Sequence, residues 1–211
     1  LRRSRGLGDV YKRQAIIIPI AKGYRKLPDP IQKGTSNAVK NLSTLITIPN
    51  NVLQGDIKTA MINTGRLVVN TTVGLLGVID VANKMGFPKY VKEDYGQTLG
   101  AWGVGPGCYL VLPVLGPSTI RDTAGSFANV MGGDPWYNAS VQGNNEFLSE
   151  SVFLTSKALS GIEFRANNIE SIDNIEKNSV DFYASVKSLY LQDRENKIEN
   201  QTRGNIDVIY K

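Results

Sequence analysis

A chain of 211 residues with 41 % hydrophobic content can bury one sizeable core, and nothing in it forces a second domain. Its formal charge of +5 lies mostly in the first fourteen residues, where Arg2, Arg3, Arg5, Lys12 and Arg13 stand against Asp9 alone, so the body has no charge reason to bind nucleic acid. Histidine is absent and Cys108 is the only cysteine, which excludes intrachain disulfides, cysteine–histidine zinc sites and any mechanism built on an imidazole base.

Residues 1–14, LRRSRGLGDVYKRQ, carry no apolar signal core and no period, and read as a non-native tail or a disordered basic arm, with the genuine N-terminus expected upstream. The run IIIPI (Ile16–Ile20) is too short to span a membrane and is a packed extended segment or the end of a helix. Two prolines, Pro28 and Pro30, place the next residues at the surface. Thr35 or Ser36 then caps a helix with Ala38, Val39, Leu42, Leu45 and Ile46 on one stripe, stopped by Pro49.

Asp56 caps a second helix, whose apolar period runs from Ile57 through Ala60, Met61, Leu67, Val68 and Leu75 to Ala82, about 40 Å if unbroken and weakened at Gly74. Its apolar side faces other helices, as such stripes usually do, or meets acyl chains. From Tyr95 to Ile120 no residue is charged, which is long enough to cross a bilayer. Six glycines and three prolines in that stretch rule out an ordinary spanning helix and predict a buried or cavity-lining loop.

Pro117 and Ser118 start the next helix toward Val130, with Ser118 as its cap. Trp136 and Tyr137 are an interfacial aromatic pair or fold back on the domain edge. Two or three helices follow from Glu146, through Phe147 and Leu148, Val152 and Phe153, to Tyr190; residues 196–211 are polar and turn-rich and are expected to fray. No hairpin pair stands out, so the fold class is all-α: a tail at 1–14, one helical domain at 15–195 and a polar C-terminal tail at 196–211.

Chemistry is sought and mostly not found. GVGPG (Gly103–Gly107) would need glycine where Cys108 stands to match a dinucleotide fingerprint, and GPSTI around Ser118 lacks the second glycine of a hydrolase elbow. Asp80, Glu93, Asp94 and Asp122 single out no acid–base pair. Arg66, Arg121, Lys157 and Arg165 sit in apolar neighbourhoods; each has a structural ion pair, as Arg165 would with Glu163 or Asp173, or grips a lipid phosphate.

The segments DYGQTLGAWG (Asp94–Gly103) and YLVLPVLGPSTIRD (Tyr109–Asp122) resemble the MlaA/VacJ family of Gram-negative outer-membrane lipoproteins. So do PIAKGY (Pro19–Tyr24), NVLQGD (Asn51–Asp56), GVIDVA (Gly77–Ala82), GIEFRA (Gly161–Ala166) and SLYLQDR (Ser188–Arg194), in the family's order over residues 16–195. The resemblance implies a helical ring embedded in the inner leaflet of the outer membrane on its periplasmic side, with an amphipathic channel, no cofactor, no metal and no catalysis. It implies transport of mislocalised phospholipids from the outer leaflet to the periplasmic carrier MlaC beside a trimeric porin, and a lipid-bearing cysteine upstream.

By the same resemblance Gln97, Thr98, Gly100, Trp102, Gly103, Gly105 and Gly107 form the channel or gate loop; Arg66, Arg121 and Lys157, from their apolar neighbourhoods, are the candidate headgroup contacts. The loop is an adjustable wall or a rigid one whose glycines let helices approach. The chain departs from the family at Gly107-Cys108-Tyr109 and at Asp181-Phe182-Tyr183, where Gly-Pro-Tyr and Asp-Pro-Tyr are common. A soluble helical scaffold binding a protein through its glycine loop is the alternative.

Overall fold

The computed structural model describes residues 18–112, 116–138 and 150–209, of which 130, 150–153 (with Val152 and Phe153) and 200–209 are described by backbone alone. The tail at 1–14, Pro113 and the apolar residues Phe147 and Leu148 lie outside them. Among the described residues the chain is mostly helical, as the periodicity predicts, with one two-stranded hairpin. Helix α1 (residues 18–25) takes up the end of the IIIPI run as helix rather than as an extended segment.

Helix α2 (Asp29–Leu53) begins earlier than expected, because Pro28 and Pro30 fall at its cap and first turn, where a missing N–H costs nothing. Thr35 does not cap it; its hydroxyl donates to the carbonyl of Ile31. Nor does Pro49 stop it. An interior proline costs about 3 kcal/mol, and the turn beyond is held from outside. Asn50 Oδ1 accepts from the Thr98 hydroxyl at 2.6 Å, and Asn51 Oδ1 accepts from Asn63 Nδ2 at 2.9 Å.

Asp56 caps α3 (Ile57–Thr72) as predicted, accepting from the backbone N–H of Thr59. The helix ends well before Ala82. Residues 73–79 form a closed turn in which Leu75, Leu76 and Gly77 are left-handed (φ 53°, 57° and 90°), and a side chain at Gly77 would collide with Asn41 of α2. Asp80 then caps the short α4 (Val81–Lys84), and Asp94 caps α5 (Tyr95–Ala101).

Strands β1 (Tyr109–Leu112) and β2 (Gly116–Thr119) pair antiparallel, Tyr109 with Thr119 and Leu112 with Gly116, which corrects the expectation of no hairpin. Pro117 sits in an edge strand, where a missing N–H is tolerated. Thr119, not Ser118, therefore caps α6 (Ile120–Ala128), accepting from Asp122 N; Ser118 shares its hydroxyl with Thr123. A π-helical turn (Asn129–Gly133) and α7 (Pro135–Tyr137) follow, with Trp136 half-buried in a cleft with Val39 and Leu42 of α2.

Helices α8 (Glu150–Asn167), α9 (Ile169–Asn178) and α10 (Phe182–Ile209) complete the chain. The backbone of 196–209 stays helical instead of turning, because no proline interrupts it. Arg165 pairs with Asp173 at 3.4 Å, one of its two expected partners. Among the described residues a buried apolar cluster lies where Ala21 and Tyr24 of α1 meet Ala166 and Ile169, with Leu159 and Ile162 against them.

Elsewhere the interior is polar. Among the described residues eight buried side chains are hydrophobic and nineteen are polar or charged, so hydrogen bonds rather than apolar contact fill the space between helices. In α3 the buried stripe is Ala60, Asn63, Arg66 and Asn70, while Ile57, Met61 and Val68 face outward. The helical period is the expected one. The face is opposite to that of an ordinary core stripe.

Candidate functional site

The charge-free stretch from Tyr95 begins inside the polar interior and ends outside it. Gln97 and Thr98, on the inner side of α5, are buried. Gln97 caps back onto Asp94 and the Lys92 carbonyl, and the Thr98 hydroxyl accepts from Gln54 at 2.9 Å while donating to Asn50. Gly100 marks a close approach: a side chain there would run into Ile198 of α10.

From Trp102 to Cys108 the chain is exposed. Trp102 donates its indole N–H to the carbonyl of Leu53 at 3.0 Å, which ties the loop to the last turn of α2. Gly103 turns the backbone with φ 86°, and side chains at Gly103 or Gly105 would meet nothing. Beneath the loop, Arg121 reaches the Val104 carbonyl with Nη1 at 3.4 Å and donates its backbone N–H to Pro106. Gly107 (φ 67°) passes over Ile120, and Tyr109 packs edge-on against Tyr183 and Tyr190 of α10 at 5.6 and 6.0 Å.

The three candidate headgroup cations all have carboxylate partners. Arg66 gives Nη2 to both oxygens of Asp80 at 3.0 Å and Nη1 to the Pro88 carbonyl at 2.7 Å; Asn70 donates to the same carboxylate. Arg121, also buried, holds Asp122 at 3.1 Å. Lys157 pairs with Asp134 at 2.9 Å, with its side chain 45 % exposed. The structure therefore does not gather the three cations on one surface: two lie inside and one at the rim.

A fourth cation, not singled out by sequence reasoning, organises the region. Arg194 of α10 grips Asp94 with both terminal nitrogens at 2.7 and 2.8 Å and reaches Asp122 with Nη2 at 2.8 Å. Tyr190, one turn earlier, donates to the other oxygen of Asp122 at 2.6 Å. The i, i+4 spacing of Tyr190 and Arg194 in SLYLQDR was the available signal. Arg194 holds the Asp94 carboxyl far below the usual carboxylate range, and Tyr190 and Arg194 pull Asp122 down, in both cases against the effect of burial.

Glu93, beside Asp94, has the opposite environment. It is 1 % exposed, and among the described residues its carboxyl has no ion pair and one hydrogen bond, from the Gln54 amide at 3.5 Å. Burial pushes its carboxyl up to about 7. The donor sets so described are those of structural hydrogen bonding, and among the described residues no cluster of acidic or cysteine side chains could hold a metal.

The sequence model of the MlaA lipoprotein family matches residues 9–197. The chain is 35 % identical to the intermembrane phospholipid transport system lipoprotein MlaA of Escherichia coli K12, over 84 % of this chain and 67 % of that protein. It is 33 % identical to an uncharacterized protein of Rickettsia bellii, over 86 % and 68 %. A solved structure from work on the structural basis for maintenance of bacterial outer membrane lipid asymmetry superposes with a TM-score of 0.73 at 31 % identity, covering 87 % of this chain and 88 % of that one. By fold, by sequence and by the extent of both matches, the chain belongs to the MlaA lipoprotein family.

Proposed function

We propose that this chain carries phospholipid at the outer membrane, in keeping lipid asymmetry, as the name of its Escherichia coli relative and the subject of its structural neighbour suggest. The observation that carries the reading is the inverted partition of side chains: a polar interior inside a surface of exposed Val, Leu, Ile and Met. Water disfavours such a surface and hydrocarbon favours it. Among the described residues no helix is long and apolar enough to cross a membrane. The exposed apolar surface favours the membrane reading over a soluble scaffold.

In this reading the domain is a ring in the inner leaflet, on the periplasmic side. Mislocalised phospholipids leave the outer leaflet past the Trp102–Gly107 loop and pass to the carrier MlaC, with a trimeric porin alongside. The headgroup meets the backbone amides of Gly105 and Gly107, beside the turn at Gly103, and then Lys157 at the rim. Arg66 and Arg121 act from behind, through Asp80 and the loop carbonyls. No bond is made or broken, and no cofactor takes part.

The test reconstitutes the protein in vesicles holding a fluorescent phospholipid, adds the soluble carrier, and reads lipid on the carrier after the vesicles are removed. Transfer well above that from protein-free vesicles is expected. Transfer equal to the protein-free control, with the protein shown to be folded in the vesicles, overturns the reading.

A further inference from the structure

Glu93 has the largest side chain among the fully buried described residues, and it lies where the loop is rooted. Its backbone N–H donates to Thr47 Oγ1 of α2 at 3.2 Å, and the same hydroxyl bonds Tyr90 at 2.8 Å. Its carboxyl faces Gln54, the cap residue at the end of α2, whose amide also reaches Thr98 of α5. One residue earlier, the Leu53 carbonyl receives the Trp102 indole. The last turn of α2 is thus joined to α5 and to the loop at two adjacent points, with Glu93 behind both.

The charged groups around it do not neutralise it. On its own segment stand Tyr90 and Asp94, and Asp94 is negative. From α10 come Arg194, already holding Asp94 and Asp122, and Lys197, bound to Asp193. Among the described residues α2 supplies the Thr47 hydroxyl to its backbone and the Gln54 amide to its carboxyl, both neutral. An ionised carboxylate there would have one long amide contact and almost no water, whereas a neutral carboxyl costs far less to bury.

We propose that Glu93 is a proton-dependent latch on the glycine loop: while it holds a proton, α2 and α5 stay closed and Trp102 stays tied, and when it loses the proton the seam loosens and the loop is released. This rests on the membrane-transport reading only for its purpose, since the latch is a property of the folded chain. The sign follows from the raised value of about 7 in the closed form. A group raised in one state favours that state at low pH, so closure is strongest on the acid side and is lost as pH rises through about 7.

The experiment is hydrogen–deuterium exchange of the full chain in detergent or vesicles at pH 6 and pH 8, read on peptides covering residues 98–107 and corrected for the intrinsic rate. With an open-state value near about 4.5, the opening equilibrium should rise roughly tenfold between the two pH values. Glu93→Gln, which stays neutral, should hold the loop closed at both. If that variant does not fold, Gln54→Lys, which places a cation beside the carboxylate, should likewise remove the pH dependence. A wild-type loop with the same corrected exchange at both pH values overturns the latch, as does a variant that keeps the full rise. Lipid transfer plays no part in the readout, so failure of the latch and failure of the transport reading are distinguishable.

Discussion

Arg194 meets two aspartates, and each aspartate has other donors, so the group is a closed network rather than a single pair: Asp94 also caps α5, and Asp122 also receives Arg121 and Tyr190. Removing Arg194 takes the counter-charge from Asp94 and leaves the buried Asp122 with Arg121 and Tyr190 alone, and breaking a buried ion pair of this kind costs about 3–5 kcal/mol. Arg194→Leu should therefore lower the unfolding free energy by about that amount in a urea titration. Glu170→Ala should cost under about 1 kcal/mol, because the Arg25–Glu170 pair is 45 % and 78 % exposed. Equal losses in the two variants would show that the network contributes no more than a surface pair. At this scale sequence named some partners and missed others. Arg121 has its carboxylate next door and Arg165 has Asp173 eight residues on, and neighbours of that kind can be enumerated. Arg194 and Asp94 are 100 positions apart, and no local pattern joins them.

The elements α5 and α6 cross at two glycines. A side chain on Gly125 would fall on the backbone of Gly96, and one on Gly96 would strike Asp122 and Arg194, so this crossing is what brings Asp122 to Arg194. Gly125→Ala should destabilise the fold by about 1–3 kcal/mol, the usual cost of overpacking. Gly105→Ala, where nothing lies within reach, should leave the urea midpoint unchanged, and a loss there as large as at Gly125 would mean that the loop is packed against something. Helix positions were legible because their period is local. Helix ends were less so: α2 outlasts Pro49 because Asn50 and Asn51 are held by Thr98 and Asn63, and α3 stops at Thr72 although its apolar period continues to Ala82. The hairpin was hidden because its strands have four residues each and carry a proline.

For the molecule as a whole, the informative error concerns the face of a helix rather than its existence. Apolar stripes in water turn inward, and that rule assigns Met61 and Val68 to a core; here they are exposed and Asn63, Arg66 and Asn70 are inside. The sequence contains the alternative, since buried Asn and Arg on one stripe of α3 match Asn41, Thr47, Asn50 and Asn51 on α2, but only the pairing of the two helices shows that the polar stripes face each other. The exposed apolar residues extend from the turn at Val73–Ile79 through Val104, Leu110 and Val111 to Phe127 and Met131. Such a surface should hold the protein to lipid without any covalent anchor. In flotation with neutral phosphatidylcholine vesicles the folded chain is expected to rise with the lipid at both about 0.1 M and about 1 M salt, because apolar contact is not screened while attraction to surface charge is, over a Debye length that shrinks to about 3 Å. Release at the higher salt would assign the contact to lysines and arginines. A folded chain that stays at the bottom in both would remove the membrane from the argument and leave the polar interior as the core of a soluble scaffold.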